Sequence, residues 1–178
     1  LYSKLGEENE VSSALADLSD MYRMNVRMDG YIVPLKNEIN YTQSYFKLIS
    51  FIEGREISLE INIDNSLSER DVVKFTIQPL VENSFKHSRL ENDPNGYVHF
   101  YIIQENNNLI FIARNSVKTM SLAVVDTSKK EKEGIGLKNV KKRLELYYGD
   151  NYSFEVNNED NNYTVTIKIG DLLDEKKV

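Results

Sequence analysis

The chain has 178 residues, enough for one domain of ordinary size with its own core and an appended helix. A net charge of −6 and a pI near 5.1 argue against nucleic acid as a partner, because phosphate backbones require basic patches. Cysteine is absent and histidine occurs twice, which excludes disulfides, thiolate zinc sites and a His-rich metal cluster and is compatible with a cytoplasmic setting.

No apolar run approaches the roughly 20 residues needed to cross a bilayer, and no signal peptide is visible. The first residue is Leu1 rather than Met, so we expect the sequence to be cut from a longer protein whose remainder has room for a membrane anchor. Glu8 to Met28 reads as a helix, with Val11, Leu15, Leu18, Met21 or Tyr22 and Met28 at helical spacing and Asp29-Gly30 as its stop. That stripe serves either as a core face or as a dimer seam.

Tyr31 to Leu35 reads as a short edge strand, where Pro34 need not donate an N–H. A helix follows from Lys36 to about Glu53, its apolar side formed by Ile39, Tyr41 or Thr42, Phe46, Ile49 and Phe51 or Ile52, with Gly54 ending it. Ile57 to Ile63 alternates as a half-buried strand does, and Asp64 to Asp71 is a polar turn. Val72 to Phe75 leads into Gln78 to Ser88, QPLVENSFKHS. As a helix this segment carries Glu82, Asn83, Lys86 and His87 on one polar face, with Ile77, Val81, Ser84 and Phe85 opposite. A carboxylate, a carboxamide, an ammonium and an imidazole together suit a metal ion with a polyphosphate; a plain solvated face is the alternative.

Tyr97 to Gln104 and Leu109 to Ala113 form a predicted hairpin, on which His99 reads as structural and without a visible partner. About twenty residues rich in Lys, Ser, Thr and Glu separate Ala113 from Gly134, a length that compact domains reserve for lids or disorder. Gly134 to Gly149, GIGLKNVKKRLELYYG, then places two glycines before an amphipathic run with Leu137, Val140, Leu144 and Tyr147 or Tyr148 on one stripe and Gly149 as C-cap. A glycine-rich entry to a helix offers free N–H groups and the positive end of the dipole to a phosphate. Tyr152 to Val156 and Tyr163 to Ile169 form a second hairpin around Asn157–Asn162, and the tail from Asp171 is charged. Hairpins with helices between them predict an α+β domain: a mixed, mostly antiparallel sheet covered by helices on one face.

QPLVENSFKHS followed by GIGLKNVKKRLELYYG resembles the N-box and glycine box of sensor histidine kinases, and the QPLVEN and GLKNVKKRL spellings resemble the LytS-type subfamily. The resemblance runs from about Leu15 to Ile169 and implies the two-layer α/β sandwich of the Bergerat fold. It divides the chain into residues 1–30, one helix of a dimerisation hairpin matched by ADLSDMYR; 31–170, a catalytic ATP-binding domain; and 171–178, a tail. The other hairpin helix, which in the family carries the phosphoacceptor histidine, is not in this sequence. The resemblance further implies that Asn83 ligates Mg²⁺, that Lys86 and His87 reach phosphate oxygens, and that Glu82 orients a water or helps deprotonate the incoming histidine. Gly134, Ile135, Gly136 and Leu137 would border the nucleotide, with Ile112, Ile135 and Leu137 closing around the purine. The segment holding Lys129, Lys130 and Lys132 would be the ATP lid.

Two departures bear on the reaction. Hydrolytic relatives place a water-activating carboxylate four residues before the metal-binding Asn; here that residue is Pro79, so slow hydrolysis and transfer to an external nucleophile are expected. The adenine-binding Asp of the family corresponds to Asn115, in FIARNS, with Ser116 and Val117 replacing the usual Asn and Gly. A charged hydrogen bond is worth roughly 1.5–3 kcal/mol and a neutral one about 0.5–1.5, so ATP affinity is expected to fall by about 1 kcal/mol. The leading function is therefore the ATP-binding catalytic part of a two-component sensor histidine kinase. In full length it would be a membrane-anchored homodimer with a cytoplasmic kinase domain, passing its phosphoryl group to a response regulator. A degenerate nucleotide-binding module acting through protein contacts is the alternative, and an anti-sigma serine kinase would need no hairpin helix.

Overall fold

The computed structural model describes residues 12, 15, 16, 18, 19, 23, 30–54, 57–88, 90, 93, 95–117, 135–159 and 161–173. Of the stretch between Ala113 and Gly134 expected as a lid, residues 114–116 belong to a strand, while 118–133 and Gly134 lie outside the described residues, as does most of the predicted first helix. Ser12, Leu15, Ala16, Leu18, Ser19 and Arg23 of that helix are helical. Leu15 and Leu18 are exposed, which removes a core role for those two positions within this chain.

A five-stranded sheet runs in the order β2-β4-β5-β7-β6, built from β2 (Ser58–Asn62), β4 (Val98–Glu105), β5 (Asn108–Ser116), β6 (Tyr152–Glu159) and β7 (Asn162–Ile169). Only the β2–β4 pair is parallel. Register aligns Leu59, Phe100, Ala113, Val165 and Val156 in one row, and Ile61, Ile102, Phe111, Ile167 and Phe154 in the next. Side chains alternate across a strand, so these rows form a single apolar face. Helices α1 (Leu35–Glu53), α2 (Gln78–His87) and α3 (Ile135–Tyr148) share the core with that face. Two short strands, β1 (Ile32–Pro34) and β3 (Asp71–Val73), pair antiparallel beside them.

Helix α1 ends at Gly54, whose φ of 62° is the left-handed cap that glycine adopts without a Cβ clash. Its buried stripe is Leu35, Glu38, Ile39, Thr42 and Phe46. Phe51 and Ile52, expected on the apolar side, are exposed in the last turn of the helix. Both predicted hairpins form, with β5, β6 and β7 longer than expected and β4 shifted by one residue. β5 continues to Ser116 because Val98 pairs with Asn115, and β6 reaches Glu159 with Asn161 turning at φ 65°. Val72 and Val73, expected as a lead-in, are a strand paired to Val33 and Ile32. His99 does have partners: its ring lies 4.7 Å from that of Tyr97, and its Nδ1 is 3.4 Å from the Tyr101 hydroxyl.

Candidate functional site

The site begins with the turn that feeds α2. Phe75 has φ 61°, a left-handed backbone on a residue with a Cβ, which costs about 1–3 kcal/mol unless its surroundings hold it. They do. The Glu38 carboxylate, on α1, accepts the Phe75 N–H at 2.9 Å, the Thr76 N–H at 3.1 Å and the Ile77 N–H at 3.0 Å. From α3, the Arg143 guanidinium donates to the Lys74 carbonyl at 2.9 Å. Upstream of the turn, in β3, the Tyr148 hydroxyl accepts the Val73 N–H at 3.2 Å. Burial pushes the Glu38 carboxyl above the usual carboxylate range, against the opposing pull of the Ile77, Phe75 and Thr76 N–H groups and of Arg143. Burial likewise pushes the Tyr148 phenol up, so it stays neutral.

Helix α2 then presents two adjacent stripes. Pro79, Asn83 and Lys86 or His87 stack at intervals of one turn, and so do Gln78, Glu82 and Phe85. Asn83 is half-buried, whereas Glu82, Lys86 and His87 are exposed. Leu80, Val81 and Ser84 turn inward. Glu82 is engaged locally: its Oε1 accepts from Gln78 Nε2 at 2.6 Å. Its stripe faces α1, where the Phe85 ring packs on Tyr45 at 5.5 Å. Asn83 stands on the other stripe.

The second stretch arrives at the foot of the Asn83 stripe. A Cβ built on Gly136 would meet Pro79 Cβ at 4.0 Å. Helix α3 starts at Ile135, so Gly136 lies within its first turn rather than ahead of it. The N-terminal turns of α2 and α3 are thus neighbours; Glu38 takes the N–H groups that enter α2, so it is the first turn of α3, with its N–H groups and dipole, that makes the shared corner attractive to an anion. Leu137 is buried in the core with Val140, Leu144 and Tyr148. Gly149 caps α3 as expected, with φ 56° and its N–H on the Glu145 carbonyl.

Asn115 lies on the inner face of β5, in line with Leu109, Phe111 and Ala113, and is wholly buried. Its Nδ2 donates to the Ser116 carbonyl at 3.2 Å, while Oδ1 has no hydrogen-bond partner. A buried carbonyl without a donor costs about 1–3 kcal/mol, so this atom fits a ligand that brings an N–H. Ile112, expected beside the purine, is paired with Tyr101 and Thr166 on the opposite face of the sheet. It cannot line a pocket on the helix side. Among the described residues there is no group of three or more His, Cys, Asp or Glu able to hold a metal. A cation at Asn83 would therefore need oxygens from its ligand and from water, a coordination that Mg²⁺ accepts. Glu38 is the residue that sequence reading missed. Its signal was a carboxylate spaced three and four residues from Leu35 and Thr42, on the stripe that had to be buried.

No protein-family model matches the chain. In sequence it is 26% identical over 164 residues, 92% of its length, to the sensor histidine kinase BtsS of Escherichia coli strain K12. It is 24% identical over 155 residues, 82% of its length, to the sensor protein LytS of Oceanobacillus iheyensis. Its similarity to the sensor histidine kinase YesM of Bacillus subtilis is 19% over 157 residues. The chain spans 28% of the length of BtsS and 26% of that of LytS. In structure, 80% of it matches 97% of a nucleotide-free catalytic domain of histidine kinase ThkA with a TM-score of 0.53 at 17% identity. It also matches the Acinetobacter baumannii histidine kinase AdeS, over 95% of this chain and 82% of that one, with a TM-score of 0.51 at 15% identity. The fold is that of histidine kinase catalytic domains, the Bergerat type, with its mixed, mostly antiparallel sheet and flanking helices. The sequence similarity extends across several sensor kinases and does not single out LytS.

Proposed function

We propose that the chain contains the ATP-binding catalytic domain of a sensor histidine kinase of LytS type, which passes the γ-phosphoryl group of Mg²⁺-bound ATP to a histidine outside this sequence for relay to a response regulator. The observation that carries the reading is the meeting of Gly136 with Pro79, one helical turn below Asn83. In this reading the Asn83 carboxamide oxygen holds the metal, and Lys86 and His87 contact phosphate oxygens. The first N–H groups of α3, at Ile135, Gly136 and Leu137, face the phosphates. Asn115 Oδ1 accepts the adenine amino group. When bound, ATP supplies the phosphoryl group and Mg²⁺ neutralises part of its charge.

Glu82 is tied to Gln78 on the neighbouring stripe, so it acts at most on the incoming imidazole. Pro79 offers no base to a water molecule, which favours an external nucleophile over hydrolysis. The full-length protein would be a membrane-anchored homodimer with the kinase domain in the cytoplasm, a reading supported by the similarity to sensor histidine kinases. Titration calorimetry with ATP, with and without Mg²⁺, tests the binding. A separately supplied dimerisation hairpin bearing its histidine tests the transfer, and absence of any binding heat would favour a degenerate module acting through protein contacts.

Asn115→Asp separates affinity from stability. Restoring the charge is expected to tighten ATP binding by about tenfold, the difference between a charged and a neutral hydrogen bond. The same carboxylate is wholly buried with no cation beside it among the described residues, so the nucleotide-free variant is expected to melt at a lower temperature than the parent. Calorimetry and thermal melts read the two effects independently, and unchanged affinity would remove Asn115 from the adenine site.

A further inference from the structure

We propose that Glu38 is a positioning residue for nucleotide binding: from α1, its carboxylate fixes the backbone entry to α2 and with it the rotation at which Asn83 stands over the first turn of α3. The inference rests on the functional reading above.

Helix α2 has 10 residues and no side-chain cap of its own at Ile77. Helices that short do not persist in water without outside support. The support comes from Glu38, which gathers the N–H groups of Phe75, Thr76 and Ile77. These are the last groups before the helix proper, and each residue of misregister there turns every later side chain by about 100° about the axis. Asn83 lies about 9 Å along the axis from Ile77 at 1.5 Å per residue, so a small change at the entry becomes a large displacement of its carboxamide. Arg143 grips the neighbouring Lys74 carbonyl from α3, and its guanidinium lies 5.9 Å from the Phe75 ring centre. One strained turn is therefore held by both helices that flank α2. The Glu38 carboxylate bonds to the Phe75, Thr76 and Ile77 N–H groups and not to Asn83; it acts through the backbone between them.

The test compares Glu38→Ala and Glu38→Gln with Tyr148→Phe, which removes a buried contact to Val73 upstream of the turn and serves as a control for general destabilisation. Each protein is titrated with ATP with and without Mg²⁺, its melting temperature is recorded, and amide exchange is followed in the nucleotide-free state. Glu38→Ala is expected to weaken Mg²⁺-dependent ATP binding by about tenfold and to speed exchange at Phe75, Thr76 and Ile77, while Tyr148→Phe stays within about twofold of the parent in affinity. Glu38→Gln keeps one acceptor and is expected to fall between Glu38→Ala and the parent; should Glu38→Ala not fold, it carries the test on the same criteria. Equal losses in the Glu38 and Tyr148 variants, or parental affinity in the Glu38 variants, would overturn the proposal. If the parent itself binds no ATP, the functional reading fails instead. Exchange at Phe75, Thr76 and Ile77 no faster in the Glu38 variants than in Tyr148→Phe then rejects the positioning role independently.

Discussion

Phe100→Ala is expected to destabilise the chain by about 3–5 kcal/mol, a large share of the roughly 5–15 kcal/mol that a domain of this size has in total. Phe100 is wholly buried in β4, beside Leu59 on one neighbouring strand and Ala113 on the other. The small Ala113 leaves room for the ring and cannot fill its place once removed. From Phe100 a column of rings rises through the helical layer. Its centre is 6.1 Å from that of Phe46 on α1, which meets Phe85 of α2 edge-on at 5.3 Å. Aromatic pairs in such geometry add about 0.5–1.5 kcal/mol each beyond the area they bury. Truncation at the base therefore empties a large cavity and also frees the ring that seats α2 on the sheet. Urea denaturation measures the change, and a loss below about 1 kcal/mol would show that the column does not carry the packing.

The same column shows how much of the fold was legible in the sequence. Period-two alternation marked β2, β4, β5 and β7 because each buries one face only, as the register of Phe100, Ala113 and Val165 requires. Helical spacing marked α1 and α3, and glycines 54 and 149 marked their ends. Strand ends were harder. Asn115 and Ser116 are polar, and β5 keeps them only because Val98 and Tyr163 pair with Asn115 from either side, a tertiary fact with no local signal. The edge strand β1 was read from Tyr31 to Leu35, but its partner β3 escaped for the same reason. In the candidate site, one face of α2 could be read from residue spacing, but the device that orients it could not. Glu38 looked like an ordinary surface carboxylate until the backbone N–H groups of a distant turn were placed around it. Ile112 was misplaced by one position, and in a strand one position is the other face.

Asn83→Ala is expected to weaken ATP binding in the presence of Mg²⁺ by up to about a hundredfold, the upper end of the 1.5–3 kcal/mol attached to a polar contact with a charged partner. The size of the effect follows from how few protein ligands are available. With no acidic cluster among the described residues to share the cation, removal of one carboxamide leaves it held by phosphate oxygens and water alone. Two features make the measurement specific. Asn83 is half-buried and its side chain makes no hydrogen bond among the described residues, so the melting temperature of the ligand-free protein should move little. In excess EDTA the parent and the variant should bind equally weakly, because the carboxamide then has no cation to hold. Asn83→Asp, which keeps an oxygen at that place and adds charge, should retain a magnesium requirement. An alanine variant that loses as much affinity without magnesium as with it would move Asn83 from the metal to the general packing of α2. The corner where Pro79 meets Gly136 would then need another explanation.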